Sequence, residues 1–313
     1  MKFTPRSTAR SRRTAVIATV GLLALALVGC ASPPAGEQAQ AVDEAEHEST
    51  GFGHVHGIGV DSVSGVVYVA AHTGVFVLGP LEADAIGIDD IGGPIAGRVQ
   101  DTMGFTMDGA EMFASGPPDP ADTSTPNPLG LIFSQDGAKT WQTVSLGGEV
   151  DFHDLAVVRD PNGALFVYGY DAAAETLSVS PDGGKTWTGG AALALRDLTA
   201  DPTTAGTVYA TTAQGLAVST DFGVSFTLAV GAPALYLVES IRDSPGSLIG
   251  VAVDGTVWLK PAIGDWQATG SVSGDVEAMT YTVAPTPTLL VADSRGVVVS
   301  NDFGATWRAL VVL

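Results

Sequence analysis

The sequence predicts an all-β fold, a six-bladed β-propeller of four-stranded antiparallel blades. The first observation behind this is an eight-residue pattern, Ser-x-Asp-x-Gly-x-Thr-Trp, that recurs along the chain. Residues 180–187 (SPDGGKTW, with Ser180, Asp182 and Trp187) and 300–307 (SNDFGATW, with Ser300, Asp302 and Trp307) carry it in full. Residues 134–141 (SQDGAKTW, with Ser134, Asp136 and Trp141) place the Gly one position early, and residues 219–226 (STDFGVSF, with Ser219, Asp221 and Phe226) soften the last two positions. The second observation is spacing: the copies stand roughly 40 to 50 residues apart, and the last interval is about double, which is the length of one four-stranded propeller blade. The third is the pattern between copies, where short apolar runs alternate with Gly, Pro, Asp and Asn and no stretch sustains a helical period.

The long interval holds a decayed copy. Gly255, Thr256, Val257 and Trp258 are followed by Gly264, Asp265, Trp266 and Gln267, with Trp266 where the motif has its aromatic residue. Cutting the chain by its repeats gives six units, residues 52–96, 97–149, 150–193, 194–235, 236–274 and 275–313.

Residues 1–29 read as an export leader. Lys2, Arg6, Arg10, Arg12 and Arg13 precede an apolar run from Ala15 through Val28, too short and too early for a stable membrane span. The run ends in Leu27-Val28-Gly29-Cys30, which resembles the lipobox of bacterial lipoproteins, and that resemblance implies cleavage before Cys30 and acylation of its thiol. Cys30 is the only Cys in the chain, so it is free for a lipid and no intrachain disulfide can form. Ser11-Arg12-Arg13 also resembles a twin-arginine export motif, but Ala15 stands where that motif prefers a large apolar residue, and the route stays open. The expected domain organisation is therefore a leader over 1–29, a lipidated Cys with a flexible acidic tether over 30–51, and the propeller over 52–313. His47 lies in the tether and is expected to be solvated.

Charge narrows the partners. The leader holds 5 of the 14 basic residues and no acidic one, so the remainder carries 34 acidic residues and a strongly negative charge. Nucleic acid is excluded as a partner, because binding it requires Lys and Arg to neutralise phosphates. The expected partners are the membrane, through the lipid, and a small ligand, glycan or protein.

The repeated motif belongs in the turn between the third and fourth strands of a blade, where Ser and Asp side chains satisfy turn amides and Gly takes a positive φ. It resembles the Asp-box, or BNR repeat, of sialidases and sortilin-type receptors. The resemblance implies a propeller and places the motif on the face away from the active site. Residues 53–61 (GHVHGIGVD) and 66–76 (VVYVAAHTGVF) resemble the first blade of bacterial exported Asp-box propellers labelled glycosylhydrolase or exo-alpha-sialidase. Sialidases, as a family, use an Arg triad, a Tyr nucleophile with a partner Glu, and an Asp acid. Here Arg196 and Arg98 are the arginines expected to approach the relevant face, so the triad looks incomplete.

Strand order puts the start of each innermost strand, and the turn between second and third strands, on the face opposite the motifs. Aligning those starts gives six candidate ligand-binding residues: His56, Asp101, His153, Arg196, Glu239 and Glu277. Four of the five histidines map there, His54, His56, His72 and His153, and His54 and His56 share one side of a strand at a spacing of roughly 6 to 7 Å. Imidazoles converging with carboxylates suit a transition metal, copper or zinc first, in a site using His56, His153 and Glu277 or Asp101, with His54 or His72 contributing. The leading expectation is a non-catalytic binding module; the alternative is a glycoside hydrolase using Glu239, Glu277 or Asp101. An insertion rich in Pro over residues 115–130 is expected beside this face, as a lid, a partner-binding loop or a tolerated insertion.

Overall fold

The computed structural model describes residues 51–312, so the predicted leader, Cys30 and the tether with His47 lie outside the described residues. Blade 1 is built from β1 (Val55–Val60), β2 (Val66–Ala71) and β3 (Gly74–Pro80), and a two-residue strand, β4 (Ile86–Gly87), follows it. Blade 2 contains β5 (Gly104–Asp108), β6 (Glu111–Ser115), β7 (Leu131–Ser134) and β8 (Gln142–Ser145). Blade 3 contains β9 (Phe152–Arg159), β10 (Leu165–Asp171), β11 (Thr176–Ser180) and β12 (Thr188–Ala192). Blade 4 contains β13 (Asp197–Ala200), β14 (Val208–Thr212), β15 (Gly215–Ser219) and β16 (Thr227–Leu228). Blade 5 contains β17 (Leu235–Ser240), β18 (Leu248–Ala252), β19 (Thr256–Lys260) and β20 (Gln267–Ser271). Blade 6 contains β21 (Val276–Thr282), β22 (Thr288–Asp293), β23 (Gly296–Ser300) and β24 (Arg308–Val312).

Within every blade the strands follow one another antiparallel, so the predicted six-bladed propeller is observed. The innermost strands β1, β5, β9, β13, β17 and β21 neighbour one another in a closed ring. Blade 1 departs from the expected four strands. Its fourth position is not built locally, because β4 instead pairs parallel with β24 and gives blade 6 a fifth strand. This pairing joins the first blade's connection to the last blade's outer edge, and Arg308 donates to the carbonyls of Leu81 and Ala83 beside it.

The apolar core is divided among the blade interfaces. Among the described residues six buried clusters are found, one between each adjacent pair of blades: Phe76 with Leu310 and Val311, Ala70 with Phe105, Phe113 with Phe152, Tyr168 with Leu198, Leu216 with Leu248, and Ile249 with Leu289. A blade sheet is therefore apolar on both faces, which is why its strands read as nearly continuous Val, Leu and Ile runs.

Each motif copy spans the turn from third to fourth strand. In all four, the Ser hydroxyl donates to the Asp carboxylate and accepts the amide four residues on, from Ala138, Gly184, Gly223 or Gly304. The Asp carboxylate also accepts the amide and hydroxyl of the Thr or Ser four residues beyond it. These bonds hold Asp136, Asp182 and Asp221 down to a pKa of about 2. Two successive residues of the turn have positive φ, for example Gly183 and Gly184 or Phe303 and Gly304. That explains the early Gly at 137: either slot accepts glycine, and Ala138 takes the second slot at φ 62°.

Candidate ligand site at the channel mouth

The innermost strands carry a shared irregularity at the end opposite the motif turns. In β1, β9, β17 and β21 the pairing with the second strand slips by one residue near the strand start. The residues left unpaired are His56, His153, Tyr236 and Glu277. A one-residue bulge bends a strand and re-aims the extra side chain, so these four positions form the mouth of the central channel. Arg196 occupies the equivalent place in blade 4, its amide donating to Thr211 O immediately before β13. In blade 2, Asp101 precedes β5 by three residues and sits outside the strand ladder.

Five of the six predicted mouth residues are thus placed as expected, and Glu239 is not. Glu239 is the fifth residue of β17, about 10 Å beyond the mouth at ~3.3 Å per residue, and it lines the channel interior. The mouth position of blade 5 belongs to Tyr236, whose ring lies 4.7 Å from the Arg196 guanidinium carbon. The polar-then-apolar pattern of Glu239-Ser240-Ile241 imitates the start of an inner strand, whereas Leu235-Tyr236-Leu237-Val238 hides its one mouth residue in an apolar run.

Three of the four predicted metal-ligating histidines come together. His54, His56 and His72 each present a ring nitrogen, and these atoms lie within 4.8 Å of one another. His56 Nε2 is 3.2 Å from His72 Nδ1, and the two rings meet edge to face with centroids 4.4 Å apart. The His54 ring centroid lies 4.9 Å from that of His56, edge to face, and 5.7 Å from that of His72, with the rings tilted. Asp101 joins them, its Oδ1 lying 2.9 Å from His72 Nδ1 and 3.6 Å from His56 Nε2. The fold explains the convergence: β1 brings His56 and, as the residue just before the strand, His54, the tight turn between β2 and β3 brings His72, and the connection into blade 2 brings Asp101.

His153 does not join this cluster. It turns to Asp151, with Nε2 3.4 Å from Oδ2, and that hydrogen bond raises its pKa. Asp151 was not singled out in the sequence, since it lies before β9 in no recurring pattern. Glu277 is also committed, accepting the Val55 amide at 2.8 Å and so tying blade 6 to blade 1, while its carbonyl accepts from Arg196 at 3.0 Å. Asp154 and Asp197 play the same part elsewhere, accepting the amides of Leu198 and Val238 in the next blade.

The electrostatics divide mouth from interior. His56 is nearly enclosed, and burial, reinforced by the neighbouring histidines, depresses its pKa to about 2, so it stands as a neutral imidazole. Burial raises the Asp101 carboxyl, against the pull of His72. Further in, burial pushes Asp154 and Asp197 above the ordinary carboxylate range and pushes Glu239 to about 8. The channel these groups line has a volume of about 220 Å³. At its far end, Arg159 and Arg242 both reach Asp108, and Arg159 also reaches Glu111. Among the arginines lining the channel only Arg196 stands at the mouth, so no three-Arg clamp is assembled there by the described residues.

No protein-family model and no curated protein matches the chain. Solved structures do. The GH74 enzyme of Niastella koreensis superposes with a TM-score of 0.54 at 19% identity, covering 82% of this chain and 37% of that one. The GH74 xyloglucanase of Xanthomonas campestris gives 0.53 at 17%, covering 82% and 38%, and an ancestral GH74 enzyme gives 0.54 at 12%, covering 82% and 46%. The chain spans less than half the length of these enzymes. At such identities the likeness is one of fold, and it places this protein among the β-propellers.

Proposed function

We propose that this protein is an exported, lipid-anchored propeller that binds a divalent transition-metal ion, copper or zinc, at the channel mouth through His54, His56 and His72, with Asp101 beside them. The convergence of three imidazoles carries the reading. A tetrahedral ion with Zn–N bonds of about 2.0–2.1 Å needs donor nitrogens roughly 3.3 Å apart. The His56–His72 pair already stands at 3.2 Å, and the His54 donor has to move in by about 1–1.5 Å at most. A neutral His56 supports ligation, because only unprotonated imidazole has a lone pair to give.

The test is equilibrium dialysis of the purified chain against Cu²⁺ and Zn²⁺. The wild type is expected to take up one ion tightly, a His56→Ala, His72→Ala variant to lose it, and His153→Ala to retain it. Equal uptake by the double variant and the wild type would reject the site. The lipid anchor rests on the Leu27-Val28-Gly29-Cys30 sequence. Cys30→Ser is expected to move the protein from the membrane to the soluble fraction on cell fractionation, and continued membrane association would count against it.

A glycoside hydrolase remains the second reading, favoured by one observation: Glu239 is a carboxyl raised to about 8 in a concave channel, the state a general acid requires. Glu277, its expected partner, is engaged by the Val55 amide. Turnover of aryl glycosides that disappears in Glu239→Gln would promote this reading over the first.

A further inference from the structure

Asp101 stands in a segment whose position the strand ladder does not set. His56, His153, Tyr236 and Glu277 are held by the pairing on either side of their bulges, but residues 99–103 form no strand. Something else has to fix the backbone that carries the Asp101 carboxylate. One support comes from blade 1, where the Thr102 amide donates to Ala71 O at 3.3 Å. The others come from the loop of residues 116–130 that joins β6 to β7.

That loop is built as a strut. Its two ends are closed on each other by the Leu129 amide donating to Gly116 O at 2.9 Å, and Pro128 O accepts the Gly148 amide at 2.7 Å. Its five prolines, counted from Pro117 to Pro128, restrict the backbone between those ties. Two contacts then reach the Asp101 segment. Asp119 accepts the Val99 amide on Oδ2 at 2.8 Å while its Oδ1 accepts the Ala121 amide at 2.8 Å, so one carboxylate joins the loop to the stretch leading into Asp101. Gly116, at φ 144°, lies directly against Asp101: a Cβ at this position would stand 1.9 Å from Asp101 O. A glycine is required there both by the φ and by that approach.

We infer that the loop of residues 116–130 is the positioning element of the metal site, setting Asp101 as the fourth, charge-bearing ligand through the Asp119–Val99 bond and the Gly116 contact. This rests on the metal-binding reading given above. Asp119 is a positioning residue, since it acts on the ion only through Asp101. With Asp101 in place the ion has three neutral nitrogens and one anionic oxygen, a set that suits Cu²⁺ or Zn²⁺. With Asp101 displaced, the fourth position passes to water. Supporting groups of this kind commonly change metal affinity by about 10–100-fold.

The experiment uses the full chain, purified in detergent and loaded with one equivalent of Cu²⁺, with affinity read against a competing chelator and ligation read from the electron paramagnetic resonance spectrum. Asp101→Ala is expected to lose about 10-fold or more in affinity and to shift the spectrum. Asp119→Ala is expected to shift it in the same direction, and Asp119→Asn to shift it by a smaller amount, because one amide oxygen replaces only one of the two acceptors that Val99 and Ala121 use. Gly116→Ala gives a second, independent displacement of Asp101 and should also move the spectrum. Thermal melting of each apoprotein separates a displaced ligand from a lost fold. Wild-type spectra and affinities in both Asp119→Ala and Gly116→Ala would overturn the positioning role, and a wild-type result in Asp101→Ala would overturn Asp101 as a ligand. Failure of the wild type itself to bind copper would instead reject the underlying metal site.

Discussion

Glu239 brings its carboxyl into the channel without a hydrogen bond from any described residue, and burial, only partly countered by Arg242, raises its pKa from 4.5 to about 8. The folded chain then keeps a proton on Glu239 that the unfolded chain has already released, so folding is penalised progressively as pH rises from about 4.5 to about 8. The contribution is complete below the unfolded value and lost once the folded value is passed. Glutamine keeps the shape and removes the titration. We therefore expect Glu239→Gln to gain on the wild type by about 1–3 kcal/mol between pH 4.5 and pH 8, after allowing for the wet channel, in urea denaturation at both pH values. A difference independent of pH would show that Glu239 ionises as a free carboxylate does. The same residue shows what a sequence conceals: Glu239 and Tyr236 are three positions apart on one strand, and which of them faces the mouth depends on a bulge at Tyr236 that only the pairing with β18 creates.

Elements were legible in proportion to how locally they are determined. The motif turns were readable because each is closed within eight residues by its own Ser and Asp, and five of six mouth positions followed from counting strands away from those turns. The closeness of His54 and His56 was visible from their spacing, and His72 from the adjoining turn, but the expected ligand set centred on His56 with His153, and His153 does not join them. The bulges, the diversion of His153 to Asp151, and the commitment of Glu277 to Val55 all arise between strands or blades, where one sequence offers no periodic signal. The least readable element is β4, a two-residue strand whose partner lies more than two hundred positions away. Its pairing with β24 is supported by Arg308, which donates to Leu81 O at 2.7 Å and Ala83 O at 2.9 Å. Removing those donors loosens the connection between the first and last blades. Arg308→Ala is expected to cost about 1–2 kcal/mol and to lower Tm by about 2–6 °C, measured by calorimetry. An unchanged Tm would mean that the inner ring alone closes the propeller.

For the whole molecule the governing imbalance is charge. Residues 51–313 hold 29 acidic side chains against 9 basic ones, and the Arg–carboxylate ion pairs among the described residues use only Asp108, Glu111 and Asp293. Many of the other carboxylates are spent on neutral partners, in the motif turns or in the blade-to-blade bonds of Asp154, Asp197 and Glu277. The motif-turn hydrogen bonds stabilise the ionised form locally, but they leave the charge in place, and like charges across the disc repel. Salt shortens the reach of that repulsion, from a Debye length of about 30 Å at 0.01 M to about 8 Å at 0.15 M. It also weakens the few Arg pairs, but exposed pairs contribute only about 0–1 kcal/mol each. The repulsive side should therefore dominate the salt response. Tm of the metal-free protein is expected to rise by several degrees between about 0.01 M and 0.3 M NaCl at pH 7.5, and to rise less at pH 5, where the weaker carboxylates have begun to protonate. A Tm that falls with salt at pH 7.5 would mean that the ion pairs of Arg159 with Asp108 and Glu111, and of Arg242 with Asp108, outweigh the net charge of the disc.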